Sequence, residues 1–333
     1  MLKTITPIDN SILVERNFAN DNEIETVLEN AKEARNIWKE TSLKERKEIV
    51  SNFVSSFLSN GKEIVENLCK QIGRPISQCP GEMKGFEERA NYMIENADRA
   101  LEDILSKKDK EFDNYVKKEP LGTIFVIAPW NYPFNTSVNS IVPSLLSGNT
   151  VILKHSSQTP LCAEQLFDAA NKALLPKNIF QFLHLDHSST SRVISDSRIN
   201  HVLFTGSVSG GKEVKKSIGT RFIGAGLELG GKDPAYVRSD CNLEHAIDNL
   251  VDGSYFNSGQ SCCGIERIYV DEKVYDKFID GFKSVTEKYI LGNPLEEKTN
   301  LGPVVRMNAA KFIRTQVTEA VNNGAKNIID TNI

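Results

Sequence analysis

The sequence predicts an α/β protein built on a doubly wound parallel sheet. Three observations carry that expectation. From Leu121 onward, short β-rich runs alternate with helical stretches, the pattern of βαβ units. The first hundred residues read mostly as helices with apolar faces. The chain has 333 residues, 40% hydrophobic and 25% charged, which suits about two soluble domains of ordinary size.

The elements follow in order. Ile24, Val27, Leu28, Ala31, Ala34, Ile37 and Trp38 fall at the three-and-four spacing of one buried helix face. Ser42 with Glu45 reads as a capping box opening a second helix, whose Ile49, Phe53 and Phe57 share a face. Asn60 and Gly61 end it. The charged run from Lys107 to Asp113 is expected to be a solvated connector. Strands are expected at 122–128, 150–153, 179–183 and 201–205, with helices between them. A second α/β segment should begin near Gly230, with strands at 235–237 and 267–270 and a helix from Val274 to Tyr289.

Composition narrows the function classes. Forty basic residues against 44 acidic ones give a net charge of −4, and no basic face or arm emerges. Nucleic acid and anionic membrane are therefore not expected partners. The first residues lack the apolar run of an export signal, and nothing approaches the ~20 apolar residues of a membrane span. The six cysteines (Cys69, Cys79, Cys162, Cys241, Cys262 and Cys263) show no paired metal spacing, and the five histidines are scattered, so no metal site is expected. Free thiols and the absence of an export signal point to a cytoplasmic location.

The segment from Phe256 to Arg267 holds the most specific chemistry. Gly259 and Ser261 leave room beside a thiol at Cys262, which could attack a carbonyl carbon. A carboxylate such as Glu228, followed by Gly230 and Gly231 in an otherwise apolar stretch, could activate water to release the resulting thioester. Taken singly, each residue has a plainer reading. A free cysteine is usually a small buried hydrophobe, Glu228 an exposed strand residue, and Asn131 a turn residue after Pro129.

Five segments in one order resemble the aldehyde dehydrogenase superfamily. They are Pro129 to Phe134, Gly148 to Lys154, Phe204 to Ser207, Leu227 to Lys232, and Gly259 to Cys262. The resemblance implies that Cys262, two residues after Gln260, is the nucleophile and Glu228 the general base. Cys263 and Cys241 keep the reading of small buried hydrophobes. Asn131 would donate its amide to the oxyanion together with the Cys262 N–H. Trp130, Lys154, Ser156, Ser157, Gly206, Ser207, Gly211 and Leu229 would bind the cofactor, NAD or NADP. Gly206 and Ser207 would open a helix whose N-terminus suits a pyrophosphate. Ser157 stands where the family usually carries a ribose-gripping glutamate, which leaves the choice between NAD and NADP open. Ser140 stands where many relatives have a lysine, and Tyr132 and Phe134 would line the substrate funnel, although core packing accounts equally well for Phe134.

By the same resemblance, residues 1–229 would form a Rossmann-like cofactor domain, with the start of an oligomerisation strand near 113–121. Residues 230–333 would be the N-terminal part of the catalytic domain. Family members continue further, into a Phe-Gly-Pro box, so the chain is expected to be a C-terminally truncated piece in which Ile268, Val270, Ile328 and Ile329 lack part of their cover. A homodimer or homotetramer is expected for the full-length form. The substrate would be an aldehyde, with succinic semialdehyde and simple aliphatic or aromatic aldehydes all open. Two alternatives remain: a coenzyme A-acylating relative, disfavoured by Glu228, and a non-catalytic nucleotide-binding fragment.

Overall fold

The computed structural model describes residues 1–108 and 111–329. Asp109 and Lys110 of the charged connector, and Asn332 and Ile333, lie outside the described residues. β1 (Leu2–Ile5) and β2 (Ile12–Arg16) form a two-stranded sheet. Helices α1 (Asp21–Trp38), α2 (Leu43–Leu58), α3 (Gly61–Ile72) and α4 (Pro80–Leu101) follow, then β3 (Ile104–Lys108) and β4 (Asp113–Val116). The alternating region comprises β5 (Thr123–Ile127), α5 (Pro133–Leu146), β6 (Thr150–Lys154), α6 (Pro160–Lys172), β7 (Phe180–Phe182), α7 (His187–Ser195), β8 (Ile199–Gly206), α8 (Val208–Ile218) and β9 (Gly224–Leu229). Last come β10 (Asp233–Val237), α9 (Leu243–Tyr255), β11 (Ile265–Val270), α10 (Tyr275–Thr286) and α11 (Met307–Asn322).

The chain divides into two compact units. Met1–Thr4, Val14–Val65 and Pro80–Leu229 make the first; Ile5–Leu13, Glu66–Cys79 and the residues from Gly230 onward make the second. Two N-terminal stretches thus cluster with the last third of the chain rather than with their sequence neighbours.

In the first unit, five parallel strands lie in the order β7-β6-β5-β8-β9. The chain walks from β5 to β7 in one direction and from β8 to β9 in the other, so the winding reverses between β5 and β8. Both faces of the sheet are covered, which explains its continuous apolar strands. Along β5, Ile124 and Val126 join Phe53, Phe57, Phe86 and Leu166 on one side. Phe125 and Ile127 join Leu28, Val193, Val202 and Val214 on the other.

Two sequence expectations change here. Ile37 is 73% exposed, although Ile24, Leu28, Ala31, Ala34 and Trp38 are buried as expected. At about 100° per residue, Ile37 points about 120° away from the centre of that stripe. The charged stretch from Lys107 to Asp113 is not a free connector. β3 runs to Lys108 and β4 starts at Asp113, paired antiparallel with Leu105 opposite Tyr115, so both ends of that stretch belong to paired strands. Helix starts carry their own signals: Asn20 and Glu23 form a reciprocal capping box for α1, and the Ser42 hydroxyl accepts from the Glu45 N–H for α2.

The second unit is thinner. β10 and β11 pair in parallel, with Ala235 beside Ile268 and Val237 beside Val270. Val237, Ile247, Val251 and Phe278 are the buried residues of its cluster, with Ile268 and Val270 only partly covered. Tyr236 and Tyr269, paired across the strands, are exposed. Helix α11 buries none of its residues and shows Met307, Phe312, Ile313, Val317 and Val321 to solvent. Ile328 is exposed as well.

Candidate active site

In the first unit, the candidate cofactor residues gather at the carboxyl ends of the parallel strands, flanking the winding reversal. This is where open α/β sheets take their ligands. Trp130 and Asn131 follow β5, Lys154 ends β6, Gly206 ends β8 and Leu229 ends β9. The ends of β5 and β6 are tied by the Ala128 N–H donating to the Lys154 carbonyl at 3.0 Å.

The turn after β5 is fixed from behind. Helix α5 opens at Tyr132, whose side chain caps nothing. The buried Glu82 of α4 supplies the missing acceptor: its Oε2 receives the Phe134 and Asn135 N–H groups at 3.0 and 2.9 Å. A carboxylate there also meets the positive end of the α5 dipole. The Asn131 Oδ1 accepts from the Tyr132 N–H at 3.1 Å. Of the two readings open for Phe134, funnel or core, the core one holds: it is fully buried and packs on Phe57 with ring centres 5.0 Å apart.

His155 organises the turn after β6. It is buried, and its Nδ1 lies 3.0 Å from the Ser156 N–H and 2.9 Å from the Thr159 hydroxyl. An acceptor at Nδ1 requires the neutral ring, leaving Nε2–H to face the Pro133 carbonyl at 3.4 Å. Burial pushes the ring's pKa down to about 3. The residues around it are set in turn. The Ser156 Oγ accepts from the Gln158 N–H at 3.2 Å, and the Ser157 carbonyl accepts from the Thr4 hydroxyl at 2.8 Å, leaving Ser157 itself exposed. Lys154 is half-buried, and no carboxylate among the described residues pairs with it. Burial pushes its amine down to about 8.

Ser207 caps α8, its Oγ accepting from the Gly210 N–H at 3.1 Å. No acidic residue occupies the first turn of this helix, so its end can receive an anion. Gly211 allows the close approach of α8 to β9, since a Cβ there would lie 2.8 Å from the Leu229 side chain. Glu228 differs from expectation. It lies on β9, the edge of the sheet, opposite Thr205, and its side chain is exposed rather than set in apolar surroundings. Strand alternation is the reason, because flanking Leu227 and Leu229 face the other way.

In the second unit, Asn257, Ser258 and Gly259 all adopt left-handed backbone angles, φ of 53°, 58° and 72°. Two consecutive non-glycine residues there are costly and persist only when the surroundings enforce them. The buried Arg74 donates from Nε to the Asn257 Oδ1 at 3.0 Å, and its guanidinium lies over the Phe256 ring. Gln260 donates to the Asn257 carbonyl at 3.0 Å and accepts from the Val305 N–H at 2.8 Å. The Ser258 hydroxyl donates to the Gly302 carbonyl at 2.8 Å.

On this fixed stem stands a turn from Ser261 to Gly264, closed by the Gly264 N–H to the Ser261 carbonyl at 3.3 Å. Cys262 and Cys263 occupy its central positions, and both are exposed. Cys263 and the half-buried Cys241 are thus not the buried hydrophobes expected, because the tight turn points Cys263 outward and Cys241 sits at the rim of the small core. The Cys262 sulfur is shielded enough that burial raises its pKa, and the neighbouring Cys263 sulfur raises it further. Asn131 and Glu228 belong to the first unit and Cys262 to the second.

Glu82, Arg74 and the bonding roles of His155 and Gln260 are absent from the sequence expectations. Among the described residues, no cluster of His, Cys, Asp and Glu could hold a metal ion, and no helix is long and apolar enough to cross a membrane.

Comparison with known proteins places these features in context. The profile of the aldehyde dehydrogenase family matches residues 1–332. The chain is 29% identical to D-glyceraldehyde dehydrogenase (NADP(+)) of Picrophilus torridus, with 98% of this chain and 66% of that protein aligned. It is also 29% identical to succinate semialdehyde dehydrogenase (NAD(P)+) of Escherichia coli, over 93% of this chain and 67% of that one. Among solved structures, succinic semialdehyde dehydrogenase from Streptococcus pyogenes in complex with NADP+ matches with a TM-score of 0.94 at 26% identity, covering 99% of this chain and 72% of that one. The chain therefore spans about two thirds of the length of the curated relatives it matches.

Proposed function

Because the chain belongs to the aldehyde dehydrogenase family, we propose that it oxidises an aldehyde to a carboxylic acid through a covalent bond to Cys262. The observation that carries this reading is an exposed thiol, Cys262, presented on a turn whose left-handed stem is locked by Arg74 and Gln260. Such preorganisation serves a nucleophile better than it serves packing. The Cys262 sulfur adds to the carbonyl carbon, and the Asn131 amide with the Cys262 N–H stabilises the resulting oxyanion. A bound NAD(P)+ would supply the hydride acceptor for that carbon, which would leave the acyl group on the Cys262 sulfur as a thioester. Glu228 takes a proton from water, which attacks the thioester and frees the acid. The raised Cys262 thiol implies that its proton must be removed with help as the aldehyde arrives.

Residues 1–229 serve in this reading as the cofactor domain and 230–333 as part of the catalytic domain. Trp130, Lys154, Ser156, Ser157, Gly206, Ser207, Gly211 and Leu229 would hold the cofactor. Two features favour NADP alongside NAD. Lys154 is a cation that no carboxylate among the described residues pairs with, and Ser157 adds no negative charge that would repel a 2′-phosphate. The relatives named for NADP point the same way. Ile104, Leu105, Tyr115 and Val116 of the β3–β4 hairpin are more than half exposed, which supports a dimer or tetramer assembled through it.

The test is NAD(P)H formation by purified protein over a panel of glyceraldehyde, succinic semialdehyde, aliphatic and aromatic aldehydes, with and without coenzyme A. Cys262→Ala should abolish turnover and Cys263→Ala should keep most of it. Glu228→Gln should give a burst of about one NAD(P)H per active subunit followed by slow turnover. A dependence on coenzyme A would assign the acyl-transfer alternative instead. Full activity in Cys262→Ala would remove the nucleophile assignment.

A further inference from the structure

We propose that the outer edge of β7 is a binding site for a short extended peptide with a free α-carboxylate, held as an added strand. The site lies within the first unit and does not rest on the aldehyde reading.

β7 is an end strand of the five, and β6 pairs with it on one side only. The Val151 N–H donates to the Ile179 carbonyl at 2.8 Å, and the Leu183 N–H to the Leu153 carbonyl at 2.9 Å. In a parallel ladder that alternation aims the Gln181 backbone at β6. It turns the N–H and C=O groups of Phe180 and Phe182 outward. None of these four groups has a partner among the described residues, although Phe180 is only 3% exposed. Backbone groups left unpaired in so sheltered a place are costly, and a further strand would satisfy them.

The edge is a groove rather than a flat rim. A cavity of about 240 Å³ borders Phe180, Gln181 and Phe182, with Val27 of α1 and Phe167 and Asn171 of α6 among its walls. Phe180 and Phe182 share one face of the strand, with ring centres 6.5 and 5.2 Å from that of Phe167. Gln181 takes the opposite face. It is 7% exposed, and its amide nitrogen donates to the Val27 and Asn178 carbonyls at 3.2 and 3.4 Å. Two carbonyl acceptors fix which end of the amide is nitrogen, so the oxygen is left without a partner among the described residues. Before the amino end of β7, Lys177 lines the cavity, and no carboxylate among the described residues pairs with it. Past the carboxyl end the edge is taken, because the Ala19 N–H donates to the His184 carbonyl at 2.9 Å.

These features specify the occupant. The open backbone belongs to Phe180 and Phe182, so a strand of three residues covers it. Antiparallel addition brings the carboxyl end of the peptide toward Lys177, where the carboxylate also receives the Phe180 N–H. Residues opposite Phe180 and Phe182 turn their side chains to the aromatic face, which suits leucine. The residue between them faces Gln181, where a serine hydroxyl can donate to the free amide oxygen. The fitting ligand is an apolar–hydroxyl–apolar tripeptide with a free carboxyl end, recognised through strand addition and carboxylate capture.

The test titrates acetyl-Leu-Ser-Leu into the purified chain by calorimetry. One-site binding with a Kd of about 0.1–1 mM is expected. The carboxamide form of the peptide should bind about tenfold more weakly, and so should the free acid with Lys177→Glu. Methylating either leucine nitrogen should abolish binding, because both N–H groups point at β7. Methylating the serine nitrogen should leave affinity within about threefold, because that N–H points away. Amide exchange at Phe180 and Phe182, read by NMR, should slow as the peptide saturates. Absence of saturable binding up to about 10 mM, equal affinity for acid and carboxamide, or equal tolerance of all three methyl groups overturns the proposal. Slow exchange at both amides in the protein alone, deepening with its concentration, gives the edge to a second copy of the chain and overturns it too. Activity toward aldehydes does not enter, so an inactive chain serves equally well.

Discussion

The two units solve the problem of burying a parallel sheet to very different extents. The first covers both faces of five strands, with aromatic residues such as Phe53, Phe86 and Phe125 fully buried. The second has two strands, four buried residues in its cluster and a terminal helix that buries nothing. The proposed cofactor residues sit on the deeply buried frame, while the proposed nucleophile sits in the thin unit. The thin unit compensates locally, with polar pins from Arg74, Gln260 and Ser258 fixing a turn that no large core supports. Precision at one loop does not require a thick core beneath it.

The largest effect should come from the first core. Phe57→Ala removes a fully buried ring packed on Phe86 and Phe134, and should cost about 3–5 kcal/mol in urea unfolding. A cost below about 1 kcal/mol would mean that this core is looser than it looks.

Next is the buried cap. Glu82→Ala strands two N–H groups at the start of α5 and should cost about 2–4 kcal/mol, with Glu82→Gln nearer neutral because its amide oxygen can still accept. Equal losses in both variants would show that the charge, rather than the acceptor, holds this turn.

The third effect depends on pH. His155 stays neutral in the fold while the unfolded chain takes up a proton below about pH 6.5. Stability is therefore full above that pH and declines as pH falls toward about 3, by about 2 kcal/mol at pH 5. His155→Gln should flatten this slope, and an unchanged slope would assign the acid sensitivity elsewhere.

A smaller effect concerns binding. The Lys154 amine loses its charge as pH rises through about 8, so NADP affinity should weaken between pH 7 and 9 while NAD affinity changes less. Lys154→Met should cost about tenfold in NADP affinity, measured by titration calorimetry. Parallel losses for both cofactors would place Lys154 away from the 2′-phosphate. Smallest of all, Phe312→Ala on exposed α11 should change stability by about 0.5 kcal/mol or less. A loss matching that of Phe57→Ala would erase the contrast between the units, because it would mean that α11 is buried in solution.

The sequence made β5 and β6 legible because strands buried on both faces read as nearly unbroken apolar runs. β9 was not, since Gly224 and Gly226 dilute it and the sheet's edge leaves Glu228 exposed. The β3–β4 hairpin hid behind lysines, which suit an exposed strand as well as a loop. The turn that carries Cys262 could be read because it is local in sequence. Glu82 and Arg74 could not, since they act on atoms 52 and 183 residues away and look like any helix glutamate or loop arginine until the chain folds.

Both tryptophans lie in the first unit. Trp38 is 1% exposed with its indole N–H donated to the Leu145 carbonyl at 3.0 Å, and Trp130 is half-buried beside the candidate cofactor site. The second unit carries tyrosines alone among the emitting rings that matter at long wavelength, so it is optically silent under tryptophan excitation. Indole emission during denaturation therefore watches one half of the molecule, while far-ultraviolet circular dichroism watches both. If the thin unit opens first, ellipticity falls before the emission shifts, and the gap between the two curves measures how independently the halves melt. If the proposed cofactor binds beside Trp130, a change in that indole's emission would report its occupancy.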